Sequence, residues 1–312
     1  MSPAQEESGE DGVTDERRPT KRACVPALEE ILHNPLPVLD RGFVRVVDYM
    51  GDDAAIVQAA RVSYGRGTKQ VQQDRGLIRY LLRRRHTSPF EMCEIKLHVK
   101  LPMFVARQWI RHRTANVNEY SARYSILDRE FYLPDTRQLA VQSSTNRQGR
   151  GACLSDDQAT EVQARMAAGS AYAYRDYLWL LNDDTGEAGE SDPDRPGLAR
   201  ELARMVLPVS AYTQWYWKVD LHNLLRFLSL RADPHAQYEI RAYADVLMDL
   251  VRRWVPMTLE AFEDYCLGAV SFSRQGLAVL RRLLDGEAVT QETSGLTPRE
   301  WRELTDSLGR EF

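Results

Sequence analysis

Cysteine is scarce in this chain of 312 residues, and its four cysteines, Cys24, Cys93, Cys153 and Cys266, lie far apart with no CxxC pair. This spacing argues against a disulfide framework and a cysteine zinc site, and it favours a reducing compartment. No run of 18 apolar residues is present that could cross a membrane. The N-terminal residues MSPAQEESGEDG are acidic where a signal peptide would be basic and then apolar. We therefore expect a cytoplasmic protein with no membrane partner.

An excess of basic charge and the glycine-rich phosphate motifs are also lacking. The formal net charge is −4, whereas non-specific nucleic-acid binding depends on Lys and Arg side chains that neutralise phosphates. No GxGxxG or GxxxxGK[ST] motif follows a predicted strand, which argues against a Rossmann or P-loop site. What is present, 43% hydrophobic residues with only 18 Gly and 14 Pro, is typical of a globular protein. No nucleic-acid partner is expected.

The sequence divides into three predicted segments: a flexible tail over residues 1–38, a folded domain over 39–267 and a C-terminal helical extension over 268–312. The start of the tail has too few large apolar side chains to compensate for the entropy lost on ordering. The extension contains a helical pattern around Leu277–Leu284 and a second helix opened by Thr297 and Pro298. Polar, turn-rich residues at 141–158 and 182–197 predict surface loops.

Hydrophobic periodicity indicates both strands and helices in the predicted domain. In CEIKLHVK, residues 93–100, the apolar residues Cys93, Ile95, Leu97 and Val99 alternate with polar ones, which predicts a half-buried strand. Similar reasoning gives two further strands, at 43–50 and 211–219. Helices are predicted after Pro102 and at 55–63, 74–84, 221–230 and 235–253. Strands and helices do not alternate strictly, so a doubly wound parallel sheet is not indicated.

The densest group of polar side chains lies in residues 107–125, RQWIRHRTANVNEYSARYS. Guanidinium groups bind phosphate through planar, charge-assisted hydrogen bonds, while Ser and Asn add neutral donors and Glu can accept from a hydroxyl or an amide. These contacts suit a nucleotide. An isolated Arg-His-Arg sequence would more often be a solvated helix end.

A second polar group, within LSLRADPHAQYEI at residues 228–240, interrupts two apolar helical patterns. Asp233 followed by Pro234 predicts a helix N-cap with Pro at the first helical position. Arg231 ends an apolar run, so it could cap the preceding helix instead of binding a ligand. His235 on its own would more often be a packed or capping histidine.

Four of these blocks resemble one enzyme family. Arg111-His112-Arg113, seven residues and then Ser121 reproduce the RHRx7S signature of the flavin-dependent thymidylate synthases, and FVARQWIRHR, NEYSARYS, HTSPFE (86–91) and LRADPHAQ are similar to that family. The resemblance covers about residues 40 to 265 in the same order. It implies an α+β fold, a twisted and largely antiparallel sheet packed with helices, assembled as a homotetramer with active sites shared between subunits.

The activity that the resemblance implies is reductive methylation of dUMP to dTMP. The one-carbon unit would come from 5,10-methylenetetrahydrofolate and the electrons from NADPH through bound FAD, without a cysteine nucleophile. Reduced flavin would carry the difficult chemistry, which leaves the protein to bind, orient and polarise its ligands.

The resemblance also implies the site residues, and no metal is expected among them. Arg231 is similar to the catalytic residue that polarises the pyrimidine. The residues similar to dUMP contacts are Gln108, Trp109, Ile110, Arg111, Glu119, Tyr120, Ser121, Ala122, Arg123, Arg204 and Arg231. The residues similar to FAD contacts are Ser88 from a neighbouring subunit, Arg111, His112, Arg113, Glu119, Asp220, Leu221, His222 and Arg226. Two of them depart from the family pattern: Ala122 replaces a common Gly, and Asp220 is an acid beside an anionic cofactor.

Two other hypotheses remain open from the sequence. A single-stranded nucleic-acid-binding protein could use RRRH (83–86), RHR (111–113) and the aromatic strand at 212–217 as a stacking platform. Alternatively, a cysteine could attack the pyrimidine ring, and Cys93 is the only cysteine near suggestive residues. Its alternation with Ile95 and Leu97 predicts a small buried hydrophobe instead.

Overall fold

The protein has the predicted α+β fold in a computed structural model that describes residues 21–62, 71–144, 149–182 and 191–310. Among these residues, no helix is long and apolar enough to cross a membrane.

The centre of the fold is a five-stranded sheet in which every neighbouring pair is antiparallel. The strands of the described chain are β1 (Leu36–Val38), β2 (Gly42–Met50), β3 (Glu94–Pro102), β4 (Asn116–Glu119), β5 (Ala140–Gln142), β6 (Arg150–Cys153) and β7 (Tyr212–Asp220). The sheet order is β1-β2-β3-β7-β4, and β5 and β6 form a separate hairpin. The antiparallel sheet that we expected is confirmed.

Helices make up most of the remaining regular structure of the described residues. They are α1 (Pro26–Glu29), α2 (Asp53–Val62), α3 (Val71–Arg83), α4 (Ser88–Glu91), α5 (Met103–Trp109), α6 (Asp156–Leu181), α7 (Arg200–Ala203), α8 (Leu221–Arg231), α9 (Tyr238–Trp254), α10 (Pro256–Phe262), α11 (Arg274–Leu284), α12 (Gln291–Ser294) and α13 (Pro298–Leu308). Single turns of other helix types lie at Thr136–Gln138, Arg204–Val206 and Glu263–Leu267.

The main core lies between the sheet and helices α1–α5 and α8–α10. The alternation predicted for β3 is present, since Ile95, Leu97 and Val99 are buried while the residues between them are half-buried. Trp109 of α5 is fully buried against the aromatic side chains of β7 and α8, with ring centroids 5.1 Å from Trp217 and 4.7 Å from Phe227. Large aromatic side chains bury much apolar area each, so this cluster fixes where α5 and α8 lie on the sheet.

The folded part begins earlier than the predicted boundary at residue 39. Leu28 in α1 is fully buried, and β1 pairs with β2 with Val38 buried. The Val25 backbone N–H donates to the Tyr49 hydroxyl at 2.7 Å. Residues 25–38 of the predicted tail therefore belong to the domain, because their few apolar side chains have partners far away in sequence. Residues 1–20 of the tail lie outside the described residues.

The predicted loop at 141–158 is also wrong in part. It contains most of the β5–β6 hairpin and the start of α6, a helix of 26 residues. Ser155 caps that helix by accepting from the Gln158 N–H while Gln158 reaches back, which is a capping box. In the second predicted loop, residues 191–197 have no helix or strand, and residues 183–190 lie outside the described part.

The C-terminal extension has both predicted helices, α11 and α13, and Thr297 caps α13 in a box with Glu300. The buried side chains of this region form a cluster of their own, made of Val279, Val289, Leu296 and Leu304.

Candidate active site

The Arg-His-Arg triplet lies at the point where the chain leaves α5. Because Trp109 is buried in the aromatic core, the next residues are carried outward into a turn in which Arg111 and Arg113 are exposed and His112 is half-buried. The Arg111 N–H donates to the Gln108 carbonyl at 3.3 Å, and the His112 N–H to the Trp109 carbonyl at 3.0 Å. The position of the triplet is therefore set by the core beneath it.

Helix α8 provides the opposite wall. Its apolar residues, including Leu224, Phe227 and Leu228, are buried, so the other face of the helix looks away from the core. Asn223, Arg226 and Leu230 lie on that face at helical spacing, three and four residues apart. Side chains at this spacing line one side of a cavity.

This cavity has a volume of about 400 Å³ and contains no carboxylate in its lining. Its lining residues are Arg111, His112, Arg113, Thr114, Trp217, Val219, Asn223, Arg226, Leu230 and Arg231. Across the described parts of the chain, the guanidinium groups of Arg111, Arg113 and Arg226 take part in no hydrogen bond or ion pair. Several cations without a counter-ion around one cavity create a site for an anion.

His112 and Arg231 are joined in this cavity. The Arg231 Nε donates to His112 Nε2 at 3.1 Å, so Nε2 accepts and the proton of the neutral ring lies on Nδ1. Burial and the charges of Arg231 and Arg226 lower the pKa of His112, which keeps the ring neutral. Burial also lowers the pKa of Arg231. The two terminal nitrogens of Arg231 have no partner among the described residues, so this side chain is held at Nε and presents its fork to the cavity.

The alternative role of Arg231 as a helix cap has no support in its contacts. At the end of α8, the Ala232 N–H donates to the Leu228 carbonyl at 2.9 Å. In the described chain, the hydrogen bond of the Arg231 side chain goes to His112 and not to a carbonyl of α8.

A second cavity of about 530 Å³ lies on the other side of α8, and Arg226 lines both cavities. Its walls are mainly apolar and include Leu225, Phe90 and Phe262, together with His86, Thr87 and His222. Ser88 follows Thr87 as the first, exposed residue of α4. The structure thus places the HTSPFE segment next to the α8 residues His222 and Arg226 within one chain.

The residues that resemble phosphate contacts lie on adjacent segments. Arg200 at the start of α7 donates to the Tyr124 carbonyl at 2.8 Å, which brings α7 and the following Arg204 against the turn that contains Arg123. Arg123 and Arg204 are both exposed. Arg204 has a bond at 3.3 Å from its Nε to the Glu201 carbonyl within its own turn.

The remaining predicted nucleotide contacts lie around β4 and the turn after it. The Glu119 carboxylate accepts from the Thr213 hydroxyl at 2.7 Å. The Tyr120 N–H donates to the Gln214 carbonyl at 2.8 Å, and Ser121 Oγ accepts from the Arg123 N–H at 3.3 Å. Ile110 and Tyr120 each expose more than two fifths of their surface.

Ala122 is compatible with its position. It is 7% exposed and does not adopt a positive φ, so its methyl group fits without the strain that a left-handed backbone would impose.

Three of the residues predicted to contact dUMP or FAD have side chains that cannot reach a ligand in a cavity. Trp109 and Leu221 are fully buried in the core, and Ala122 offers only a methyl group. Any contact from these positions would have to use backbone groups, and the Leu221 N–H already donates to the Cys93 carbonyl at 2.8 Å.

The two acidic residues of these segments have local structural partners. Asp220 is the N-cap of α8, because its carboxylate accepts from the Asn223 N–H at 2.9 Å and from the Asn223 amide at 2.7 Å. The N-cap role predicted for Asp233 is wrong. Helix α9 begins only at Tyr238, and Asp233 accepts from the His235 N–H in the turn before it.

The cysteine hypothesis finds no support in the geometry. Cys93 is fully buried, and burial together with Asp52 and Asp53 raises the pKa of its thiol to about 12. A nucleophilic cysteine needs its thiolate, which this environment suppresses. Cys24, Cys153 and Cys266 are exposed and unpaired.

The sequence reasoning missed six residues of this site, two of which, Trp217 and Val219, belong to β7. Thr114 follows the triplet directly, and Asn223 and Leu230 share the α8 face with Arg226. The helical spacing of α8 was a sufficient signal for the latter two. Gln237, which accepts from Gln108 Nε2 at 2.5 Å, had no such signal because the contact crosses two distant segments.

The fold and the carboxylate-free basic cavity indicate a site that suits an anionic ligand, beside an antiparallel sheet. A solved UMP/dUMP methylase PolB from Streptomyces cacaoi, bound with 5-Br dUMP, has a TM-score of 0.63 and 34% sequence identity over 74% of this chain and 98% of that one. The same methylase bound with 5-Br UMP has a TM-score of 0.62 and 36% identity over 72% and 95%.

The family model described as thymidylate synthase complementing protein matches residues 45–257. A flavin-dependent thymidylate synthase of Ruegeria pomeroyi is 63% identical over 292 residues, which are 94% of each chain. One of Rickettsia bellii is 60% identical over 93% of this chain and 98% of its own. The chain belongs to the flavin-dependent thymidylate synthase family.

Proposed function

We propose that this protein methylates dUMP to dTMP with 5,10-methylenetetrahydrofolate as the one-carbon donor and NADPH as the reductant, through bound FAD. The observation that carries the proposal is the basic cavity between the Arg-His-Arg turn and α8. Its cations lack counter-ions in the described chain, and its lining contains no carboxylate.

The residues present fit FAD, whose diphosphate is anionic and whose rings need apolar or neutral walls. Arg111, His112, Arg113 and Arg226 would hold the anionic part, and Asn223 offers a neutral amide in the same cavity. Arg226 also lines the apolar cavity on the other side of α8. Bound flavin supplies the redox chemistry and carries the one-carbon unit, which removes the need for a protein nucleophile.

The role of Arg231 follows from the charge that develops on the substrate. The C5 carbon of a neutral uracil ring is a poor nucleophile, and it becomes reactive when the ring carries negative charge that C5 shares with the N3 and carbonyl edge. A preorganised guanidinium fork at that edge stabilises this charge more than it stabilises the ground state. The hydrogen bond that Arg231 Nε donates to His112 fixes Nε and leaves the two terminal nitrogens for this task.

The phosphate of dUMP would be bound by Arg123 and Arg204, with Ser121 as a neutral donor. Both arginines are exposed and lie on segments that the bond between Arg200 and Tyr124 holds together. Gln108 and Glu119 would bind the sugar or the base.

We extend the proposal to a homotetramer in which Ser88 reaches the flavin of a neighbouring subunit. Ser88 is exposed at the start of α4 and could therefore meet a second chain. A reducing cytoplasm as the site of action would suit the four unpaired cysteines.

The nucleic-acid hypothesis has no such support. A stacking platform needs exposed rings, yet Trp215 and Trp217 are 2% and 1% exposed because their faces pack on the core. Tyr216, which points to the other face, already stacks on His98 at 5.0 Å.

The test combines three measurements on the purified protein. We expect a visible spectrum with oxidised-flavin bands, formation of dTMP only when dUMP, methylenetetrahydrofolate and NADPH are all present, and a tetramer in sedimentation. A protein that takes up no FAD in titration would contradict the function. A monomer that retains stoichiometric FAD would contradict the shared site alone.

A further inference from the structure

A buried carboxylate lies behind the predicted nucleotide site and is not part of it. Glu239, in the first turn of α9, has a side chain only 3% exposed. Arg150 of strand β6 donates from one terminal nitrogen to both of its oxygens, at 2.6 and 2.7 Å, and the Tyr132 hydroxyl donates at 3.1 Å. A buried charge needs such compensation, because an unpaired one is strongly destabilising.

A third hydrogen-bond partner of Glu239 connects it to the predicted dUMP site. Gln237, an exposed residue directly before α9, donates from Nε2 to Glu239 at 2.8 Å. An ionised carboxylate only accepts, so the NH₂ group of Gln237 must face it and the amide oxygen must face the other way. That oxygen accepts from Gln108 Nε2 at 2.5 Å.

The direction of this chain fixes the amide of Gln108 as well. One N–H of Gln108 is used by Gln237, and the other N–H and the oxygen Oε1 are left with a defined orientation. An amide that can flip presents donor and acceptor interchangeably, whereas a fixed one distinguishes between ligand groups.

We propose that Gln237 and Glu239 are positioning residues that fix Gln108 for dUMP, and that Arg150 of the β5–β6 hairpin holds the carboxylate at the end of this chain. The inference rests on the proposed function, because Gln108 is placed at the nucleotide by the family resemblance. It gives the hairpin a role at the site although the hairpin lines neither cavity beside α8.

A purely structural role would not need this arrangement. The pair of Arg150 and Glu239 already joins the hairpin to α9, and the exposed Gln237 adds little to the core. Its bond to Gln108 contributes to the order of a side chain that we expect to contact the ligand.

The experiment is a double-mutant cycle on Gln108 and Gln237, read by dUMP binding to the FAD-loaded protein. We expect Gln237→Ala to raise the Kd of dUMP about 5- to 10-fold. In the background of Gln108→Ala, the same change should have no further effect. FAD affinity should stay unchanged, and the Tm should stay within about 2 °C.

Steady-state kinetics distinguish a positioning role of Gln237 from a purely structural one. For Gln237→Ala the KM for dUMP should rise while kcat at saturating dUMP stays within about twofold. The matched control is Gln163→Ala, on a helix outside both cavities. Like Gln237, Gln163 donates a hydrogen bond from its amide within the protein, in this case to the Pro134 carbonyl at 2.8 Å. This control should bind dUMP like the wild type.

Two results would overturn the proposal: an unchanged Kd in Gln237→Ala, or effects of the two substitutions that multiply in the double variant. If the wild-type protein binds dUMP, either result contradicts only this chain of hydrogen bonds and leaves the proposed function untouched. A wild-type protein that fails to bind dUMP would refute the proposed function instead.

Discussion

Arginines occur in two different settings, one between α3 and α10 and the other in the basic cavity beside α8. On α3, Arg75 pairs with Glu260 of α10, and Arg79 pairs with both Glu260 and Asp264. In the basic cavity, Arg111 and Arg226 face no carboxylate, and the nearest described partner of Arg231 is the neutral His112. The first set joins two helices, whereas the second leaves its charge for a ligand. Composition alone does not separate these settings, but the presence of a counter-ion does.

The largest effect is expected at Arg231. Arg231→Ala should keep the fold and the bound flavin but lose at least about 100-fold in dTMP formation, because one preorganised donor to developing charge is lost. Arg231→Lys should rescue the rate only in part, since a point charge does not reproduce a planar fork. Turnover assays at saturating dUMP measure both variants. Near-normal turnover in Arg231→Ala would contradict the catalytic role.

A direct comparison of the two settings is given by Arg226→Ala and Arg79→Ala. Loss of Arg226 should raise the Kd for FAD about 10- to 100-fold, the range for hydrogen bonds to a charged partner. Arg79→Ala removes two ion pairs outside the basic cavity and should leave FAD binding unchanged. Fluorescence titration of the two apoproteins with FAD gives both constants. Equal losses in both variants would show that the counter-ion does not distinguish the sets.

A smaller effect is expected from acid. The pKa of His112 is lowered in the folded protein, so the unfolded state binds this proton more readily, and the contribution of the neutral ring to stability is present above pH 6.5 and decreases as the pH falls through the lowered pKa. Protonation also removes the acceptor for Arg231. The kcat/KM for dUMP should therefore fall, up to about tenfold, as the pH decreases below 6.5 through the lowered pKa of His112.

The control for the acid effect is His112→Gln, whose amide oxygen can accept from Arg231 at any pH. This variant should lack the acidic step that we expect of the wild type below pH 6.5. An identical step in both proteins would assign it to another group.

The sequence pattern predicted those strands and helices in which one face is buried and the other is polar and more exposed. Strand β3 alternates because Ile95, Leu97 and Val99 pack on helices while the other face remains half-buried. Helix α6 was missed because only Ala159, Tyr174, Tyr177 and Leu178 of its 26 residues are buried, which leaves no continuous apolar stripe to recognise.

For the site, the motif and its resemblance predicted residue identities, but the partners needed the structure. His112 and Arg231 are 119 residues apart, and Gln108 and Gln237 are 129 apart. Local patterns carry no information on such contacts, since these depend on how α5, α8 and α9 are placed by the aromatic core. The same reason explains the error at the tail, where Leu28 and Val38 are buried by residues far along the chain.

The C-terminal segment packs separately from the centre of the fold. The family model ends at residue 257, before this segment begins. The buried side chains beneath α11 and α13 form a cluster that shares no residue with the main core. Loss of this segment would therefore leave the buried side chains of the main core in place, because the segment brings its own packing with it.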